Sequence, residues 1–172
     1  MLAQGAGEPA PPRRGLRLRA EDAEDLAVVS ACLQDALVTV RDLVYDREAA
    51  RFVLAANRFC WEGGGHGGAP FERSLCLIAF DAVSGVVYRG FQRREEQRIL
   101  SLLAIRSTCG RASGCARGEV SKGREAGVTI DLEFADGATL RLCAAAIRCR
   151  ARDFGDPWPT RRQPGHSLDG TP

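Results

Sequence analysis

Two side chains of this 172-residue chain are close enough in sequence to suggest acid–base chemistry, Glu62 and His66. A carboxylate beside an imidazole can share a proton or orient a water molecule, and Asp81, which follows the apolar segment ending at Phe80, would add a second carboxylate. These three residues define an alternative function as a small hydrolase or transferase. The competing interpretation is structural, with Glu62 at the end of a strand and Asp81 in an Asx-type turn.

The glycine-rich stretch at residues 63–68 resembles a phosphate-binding loop only in composition. A P-loop needs a lysine directly after its glycines, whereas the single lysine of this chain, Lys122, lies far away in sequence. We also find no G-x-S-x-G nucleophile elbow. The sequence therefore predicts no catalytic residue beyond the alternative above, and it leans away from an enzyme.

Metal and cofactor sites are not indicated either. Seven cysteines are scattered without C-x-x-C spacing, and His66 and His166 are the only imidazoles. Tetrahedral zinc needs four well-placed ligands, so this pattern favours neither a metal site nor a bound cofactor. A cysteine within an apolar segment acts instead as a small hydrophobic side chain.

The candidate binding residues lie near the end of the chain. Trp158 stands between two prolines, which stiffen the backbone and make an aromatic anchor plausible. Arg161, Arg162 and His166 follow, and together they provide two permanent donors and one titratable group for a carboxylate or phosphate. In the competing interpretation, Trp158 caps the core and the charges are simply solvated.

Composition excludes several classes of protein. Hydrophobic residues make up 45% of the chain and charged residues 27%, as in a folded domain with a sizeable core. Basic and acidic residues number 24 and 22, so charge does not favour nucleic acid. Because we find neither an export signal nor an apolar run of about 18 residues, we expect a cytoplasmic protein without membrane contact. The expected partner is another protein or a small anionic ligand.

One domain is expected over residues 16–155. A disordered tail at residues 1–15 precedes it, and an extended tail at residues 156–172 follows it. Within the domain, residues 107–126 are rich in Gly, Ser and Arg and are predicted to form a flexible loop.

Local patterns predict a helix and a hairpin. Apolar residues at helical spacing predict an amphipathic helix over residues 23–35, with Asp22 as its N-cap. Alternation around a three-residue loop at 135–137, with Gly137 left-handed in a type I turn and G1 bulge, predicts a hairpin that pairs Leu132 with Leu140.

Two further predictions concern the end of the domain and its core. The i, i+4, i+7 spacing of Ile147, Ala151 and Phe154 predicts a short C-terminal helix, with a strand as the alternative. Phe59 and Trp61 are two residues apart and are expected to lie together in the core.

Several strings of this sequence resemble a small bacterial family, domain of unknown function 2948, from about Leu16 to His166. The strings include Asp22-Ala23-Glu24-Asp25-Leu26, Asn57-Arg58-Phe59-Cys60-Trp61-Glu62, Phe80-Asp81-Ala82-Val83 and Trp158-Pro159-Thr160-Arg161-Arg162. The resemblance implies no established activity, so it transfers no site residue.

The fold expected from these patterns is an α+β domain. It has an N-terminal amphipathic helix, an antiparallel meander of about six or seven strands and a short C-terminal helix. This order would suit a roll like that of pleckstrin-homology-like domains, in which a helix closes one end of a barrel. The expected function is a non-catalytic binding or interaction module.

Overall fold

The computed structural model describes residues 15–63, 71–109, 127–161 and residue 164. In these ranges the chain forms nine strands, one α-helix and two short 3₁₀ turns, at Trp61–Gly63 and Ala135–Gly137. The elements are β1 (Arg17–Ala20), α1 (Ala23–Leu33), β2 (Leu37–Asp46), β3 (Arg51–Phe59), β4 (Phe71–Asp81), β5 (Val83–Arg89), β6 (Ile99–Cys109), β7 (Val128–Phe134), β8 (Thr139–Ala144) and β9 (Cys149–Thr160).

All nine strands belong to one antiparallel sheet, in the order β1-β9-β4-β3-β2-β6-β7-β8-β5. Only Ala82 separates β4 from β5, and only residues 145–148 separate β8 from β9. Since β4 and β5 lie at distant positions in the sheet order but are joined by one residue, the sheet must curl back on itself. The curled sheet and α1 enclose a single hydrophobic core.

Helix α1 begins as the sequence predicts. The Asp22 carboxylate accepts a hydrogen bond from the Asp25 backbone N–H, at 2.8 Å, which confirms the N-cap. The helix ends at Leu33, two residues earlier than expected, because Gln34 leaves the helical conformation with ψ of 138° and Asp35 is left-handed with φ of 59°. Its buried side chains are Leu26, Val29 and Leu33, and the helix packs against β6, β1 and β3. In the described ranges, no helix has the length and apolarity needed to cross a bilayer.

The predicted C-terminal helix and the count of six or seven strands are wrong. Cys149–Thr160 is strand β9, paired with β4 and, at its start, with β1. Cys149 and Ala151 point inward in alternation with exposed Arg150, so the true period is two. The next inward residue is Asp153, a charged residue that hid this alternation from a search for apolar side chains. Because this segment is a strand, the expected resemblance to a pleckstrin-homology-like roll, in which a helix closes one end of the barrel, is also wrong.

The predicted hairpin register is confirmed. β7 and β8 pair Leu132 with Leu140 and Asp131 with Arg141, so the apolar and charged faces both match. The turn differs in detail, because Asp136 as well as Gly137 has a positive φ, 61° and 72°. Two left-handed central residues are typical of a type I′ turn rather than the expected type I turn with a G1 bulge.

The expected core pair is only half correct. Phe59 is fully buried at the end of β3, whereas Trp61 lies in the following 3₁₀ turn with 42% of its surface exposed. The two rings still touch, with centroids 4.5 Å apart. Of the predicted loop, residues 107–109 belong to β6 and residues 110–126 lie outside the described ranges. β9 also includes residues 156–160, which we had assigned to a tail.

Candidate functional site

The structure places two of the three proposed acid–base residues, Glu62 and Asp81, far apart. Glu62 binds Arg58, near the end of β3, and Asp81 binds Arg51, at its start. Seven residues of extended strand separate these two arginines, a distance of about 23 Å. His66 lies outside the described residues. Glu62 and Asp81 therefore cannot act on one substrate atom.

Arg58 is instead the centre of a buried ion cluster. Its guanidinium group, 1% exposed, makes a bidentate contact with Asp153, Nε to Oδ1 at 2.7 Å and Nη2 to Oδ2 at 2.6 Å. A second bidentate contact reaches Glu62 in the 3₁₀ turn. The Leu16 backbone N–H also donates to Asp153 Oδ2, at 2.8 Å. One arginine thus ties together β3, β9 and the segment that leads into β1.

The charges in this cluster are fixed. Burial by itself would lower the pKa of Arg58, but hydrogen bonds to Asp153 and Glu62 hold it above its usual value. Burial opposes ionisation of Asp153, yet its hydrogen bonds from Arg58 lower its pKa, and the same arginine lowers the pKa of Glu62. Burial raises the pKa of the neighbouring Cys76 thiol to about 12. These shifts keep Arg58, Asp153 and Glu62 charged and the Cys76 thiol protonated near neutral pH.

A second group of residues lies on the side of strands β1, β9, β4 and β3 that faces away from the core. We call it the outer face. Strand register places paired residues on the same side, and burial alternates along each strand accordingly. The members are Arg17, Arg19, Arg150, Arg152, Phe154, Trp158, Arg73, Leu75, Leu77, Ala79, Val53, Ala55 and Asn57.

The end of the outer face near β1 is strongly basic. Arg17 lies directly opposite Arg152, and Arg19 lies directly opposite Arg150. Like charges opposed across two strands destabilise a sheet. Arg19 and Arg150 each have a carboxylate partner, but Arg17 and Arg152 make no ion pair within the described part of the chain. Among the residues that the structure describes, nothing therefore compensates the positive pair at this position.

Beside the arginines the outer face is apolar. Phe154 is 63% exposed, and Leu77 and Trp158 are each about 40% exposed. β9 shifts register between the partners of Arg73 and Leu75, with Gly155 left-handed at φ of 76°, and this shift places Trp158 opposite Arg73. From residue 73 to residue 79, across four strands, the face measures about 20 Å by 14 Å.

The predicted binding residues are only partly described. Trp158 lies on the outer face opposite Arg73, and Arg161 is exposed directly after β9. Arg162 and His166 lie outside the described residues. Sequence reasoning missed Arg17 and Arg152, because their pairing depends on a strand that had been predicted as a helix.

A groove opens at the basic end of the outer face, with a volume of about 800 Å³. We call it the arginine groove. It is lined by Arg19, Arg51, Arg148, Arg150, Glu21, Asp81 and the small residues Ala49, Ala50, Ala82 and Cys149. Asp81 lies between two of the arginines, with Oδ1 2.6 Å from Arg51 Nε and Oδ2 2.8 Å from Arg150 Nη2. Its pKa is lowered mainly by the hydrogen bond from Arg51, so this carboxylate stays ionised.

Within the described ranges, no group of three or more His, Cys, Asp or Glu side chains is placed to hold a metal ion. Comparison with protein families matches residues 16–166 to the family described as "Protein of unknown function (DUF2948)". Searches of the curated proteins and of the solved structures find no match.

Proposed function

Because the chain belongs to the DUF2948 family, whose description states no activity, we propose a function from the geometry alone. The protein is a non-catalytic binding module whose outer face docks an extended segment of a partner protein. That segment carries acidic side chains beside apolar ones. The observation that carries the proposal is the opposed Arg17–Arg152 pair, which has no carboxylate partner among the described residues. It lies in register with exposed Leu77 and adjacent to exposed Phe154.

The acidic character of the partner is argued from charge complementarity. A carboxylate between Arg17 and Arg152 would relieve the repulsion of two opposed guanidinium groups and accept hydrogen bonds from both. The apolar character follows from the neighbouring Phe154, because a large exposed ring gains free energy when a partner covers it. One segment with both kinds of side chain meets both needs.

The size of the face favours a segment over a folded partner. An apolar and basic patch of about 300 Å² is near the lower end of functional patches on monomers. A stable interface between folded proteins buries about 800 Å² on each side, well beyond this area. The length of about 20 Å corresponds to about six residues of extended chain.

The experiment uses the full chain as bait and two pairs of variants. Arg17→Glu combined with Arg152→Glu should abolish retention of the partner, whereas Arg89→Glu, at an exposed arginine of β5, should not. Phe154→Ser should weaken retention strongly, whereas Ile99→Ser, at a site of similar exposure on β6, should not. Thermal unfolding of each variant checks that folding is intact.

A defined probe makes the test independent of any lysate. A fluorescent six-residue peptide that alternates Glu with Leu should bind the protein, and its Lys-for-Glu counterpart should not. Binding should weaken with added salt, because exposed charges contribute. Equal binding of both peptides, or equal loss in the Arg89→Glu control, would contradict the proposal.

A further inference from the structure

We propose that the arginine groove, which shares Arg19 and Arg150 with the edge of the outer face, is a second binding site for a small molecule that carries a phosphomonoester group. This inference goes beyond the docking of a segment on the outer face and does not depend on it. Its basis is the charge, the positioning and the shape of the groove.

The charge of the groove matches a phosphomonoester. Its lining holds four guanidinium groups and two carboxylates, which leaves two positive charges. A phosphomonoester carries a charge of about −1.5 to −2 near neutral pH. Arginine suits this group better than lysine, because its planar donors make paired hydrogen bonds with phosphate oxygens. A singly charged carboxylate would leave about one positive charge uncompensated.

Asp81 positions the arginines instead of binding the ligand. Each of its oxygens accepts from one guanidinium group, Arg51 Nε on one side and Arg150 Nη2 on the other. The terminal nitrogens of Arg51 have no protein acceptor within the described ranges, and neither does the guanidinium group of Arg148. In the described part of the chain, the groove therefore offers free donors on Arg51, which Asp81 orients, and on Arg148.

Small residues in unusual conformations form the rest of the wall. Ala50 and Ala82 both have positive φ, 48° and 61°, a region that costs free energy for any residue with a Cβ atom. The Val83 N–H donates to the Ala50 carbonyl at 2.8 Å and ties the two turns together. Their methyl groups leave the groove open, and a volume of about 800 Å³ is that of a small-molecule site. Because the groove is larger than a phosphate group, it has space for the rest of a small molecule.

Calorimetric titration of the full chain with glycerol phosphate tests the site. We expect saturable binding that Arg51→Gln and Arg148→Gln each weaken by about tenfold or more, since each removes charged donors. The matched control for Arg51→Gln is Arg106→Gln, which also breaks an arginine–carboxylate pair but lies on β6. It should change the affinity less than twofold. Absence of saturable binding, or equal loss in Arg106→Gln, would overturn the proposal.

Asp81→Asn separates a positioned site from general attraction. The substitution removes a negative charge, so simple electrostatic attraction would tighten binding. A positioned site predicts weaker binding instead, because Arg51 and Arg150 lose their anchor. Tighter binding would therefore refute the positioned site.

The source of the phosphate is tested with a second ligand. If the ligand is a small molecule, glycerol phosphate binds at least as tightly as a phosphoserine peptide. Clearly tighter binding of the peptide would refute the small-molecule assignment. Phe154→Ser, which disrupts the outer face outside the groove, should leave glycerol phosphate binding unchanged, so failure of the docking proposal would be seen separately.

Discussion

Arg58 shows how a single charged side chain can occupy a core position. It follows Phe52, Leu54 and Ala56 on the inward side of β3 and is as buried as they are. Removing a guanidinium group from water is costly, and the bidentate contacts with Asp153 and Glu62 offset that cost. The cluster fixes β9 against β3 and therefore supports the strand that carries Arg152, Phe154 and Trp158 on the outer face.

The two carboxylates of this cluster should differ sharply in their contribution to stability. Asp153→Asn should lower the free energy of unfolding by about 3–5 kcal/mol, because it leaves a buried guanidinium group short of charge compensation. Glu62→Gln should cost about 1 kcal/mol or less, since the Glu62 side chain is more than half exposed. Urea denaturation of both variants measures the difference, and equal costs would contradict a buried Arg58–Asp153 pair.

The same carboxylates predict how stability depends on pH. Their folded-state pKa values are lowered, so their contribution is complete above the unfolded values of about 4 and is lost as pH falls through the folded values. The difference in stability between the wild type and Asp153→Asn should therefore shrink as pH falls from 5 to 3. Denaturation curves across this range test the prediction, which fails if the difference stays constant.

Phe59 and Trp61 should respond differently to truncation. Phe59→Ala should cost about 3–5 kcal/mol, because it leaves a cavity in a fully buried position. Trp61→Ala should cost about 1 kcal/mol, since the exposed ring loses mainly its contact with Phe59. Melting temperatures of the two variants distinguish the positions, and similar losses would place Trp61 in the core after all.

At the scale of elements, the joint between β4 and β5 is a single residue, Ala82. Its φ of 61° is readily adopted only by glycine. Ala82→Gly should therefore raise the free energy of unfolding by about 1 kcal/mol. The matched control is Ala79→Gly, within β4, which should lower it. Denaturation experiments that show Ala82→Gly to be destabilising would mean that the Ala82 methyl group makes a contact worth more than the strain.

Elements with local signals could be predicted from the sequence. Asp22 caps α1 through a hydrogen bond three residues away, and the β7–β8 register follows from the alternation of Leu132 and Asp131 against their near partners. β9 could not be predicted in this way. Its inward residues include Asp153, a charged side chain that breaks the alternation of apolar and polar residues expected of a strand. Asp153 can be buried only because it pairs with Arg58, which is 95 residues distant in sequence.

At the scale of the whole molecule, the candidate site depends on contacts between the two ends of the domain. The sequence marks Trp158 as a candidate binding residue because it stands between two prolines. Arg17 and Arg152 become opposed only when β1 pairs with β9, so no local pattern marks either arginine as unusual. The chemistry of individual residues was therefore predictable, but the surface that they form together was not.

The continuity of β4 with β5 and of β8 with β9 predicts a single unfolding transition. One part of the curled sheet contains β1, β9, β4, β3 and β2, and the other contains β6, β7, β8 and β5. The chain passes between the two parts at β4–β5 and at β8–β9 with few connecting residues. We therefore expect neither part to unfold while the other stays intact. Fluorescence of Trp61 and Trp158 and far-ultraviolet circular dichroism should give superimposable melting curves. Separated curves would show that the two parts unfold independently.

The pairing of β1 with β9 also determines how the domain responds to mechanical force. The chain enters β1 beside Arg152, so tension applied at residue 15 peels β1 from β9 one hydrogen bond at a time, starting at the opposed Arg17–Arg152 pair. Tension applied at residue 161 acts along β9, whose ladder with β4 is loaded in shear and shares the force among many hydrogen bonds. We therefore expect the domain to lose β1 first when its ends are pulled. Arg17 and Arg19 would leave the outer face with that strand, so a partner bound there as proposed would be released before the rest of the fold yields.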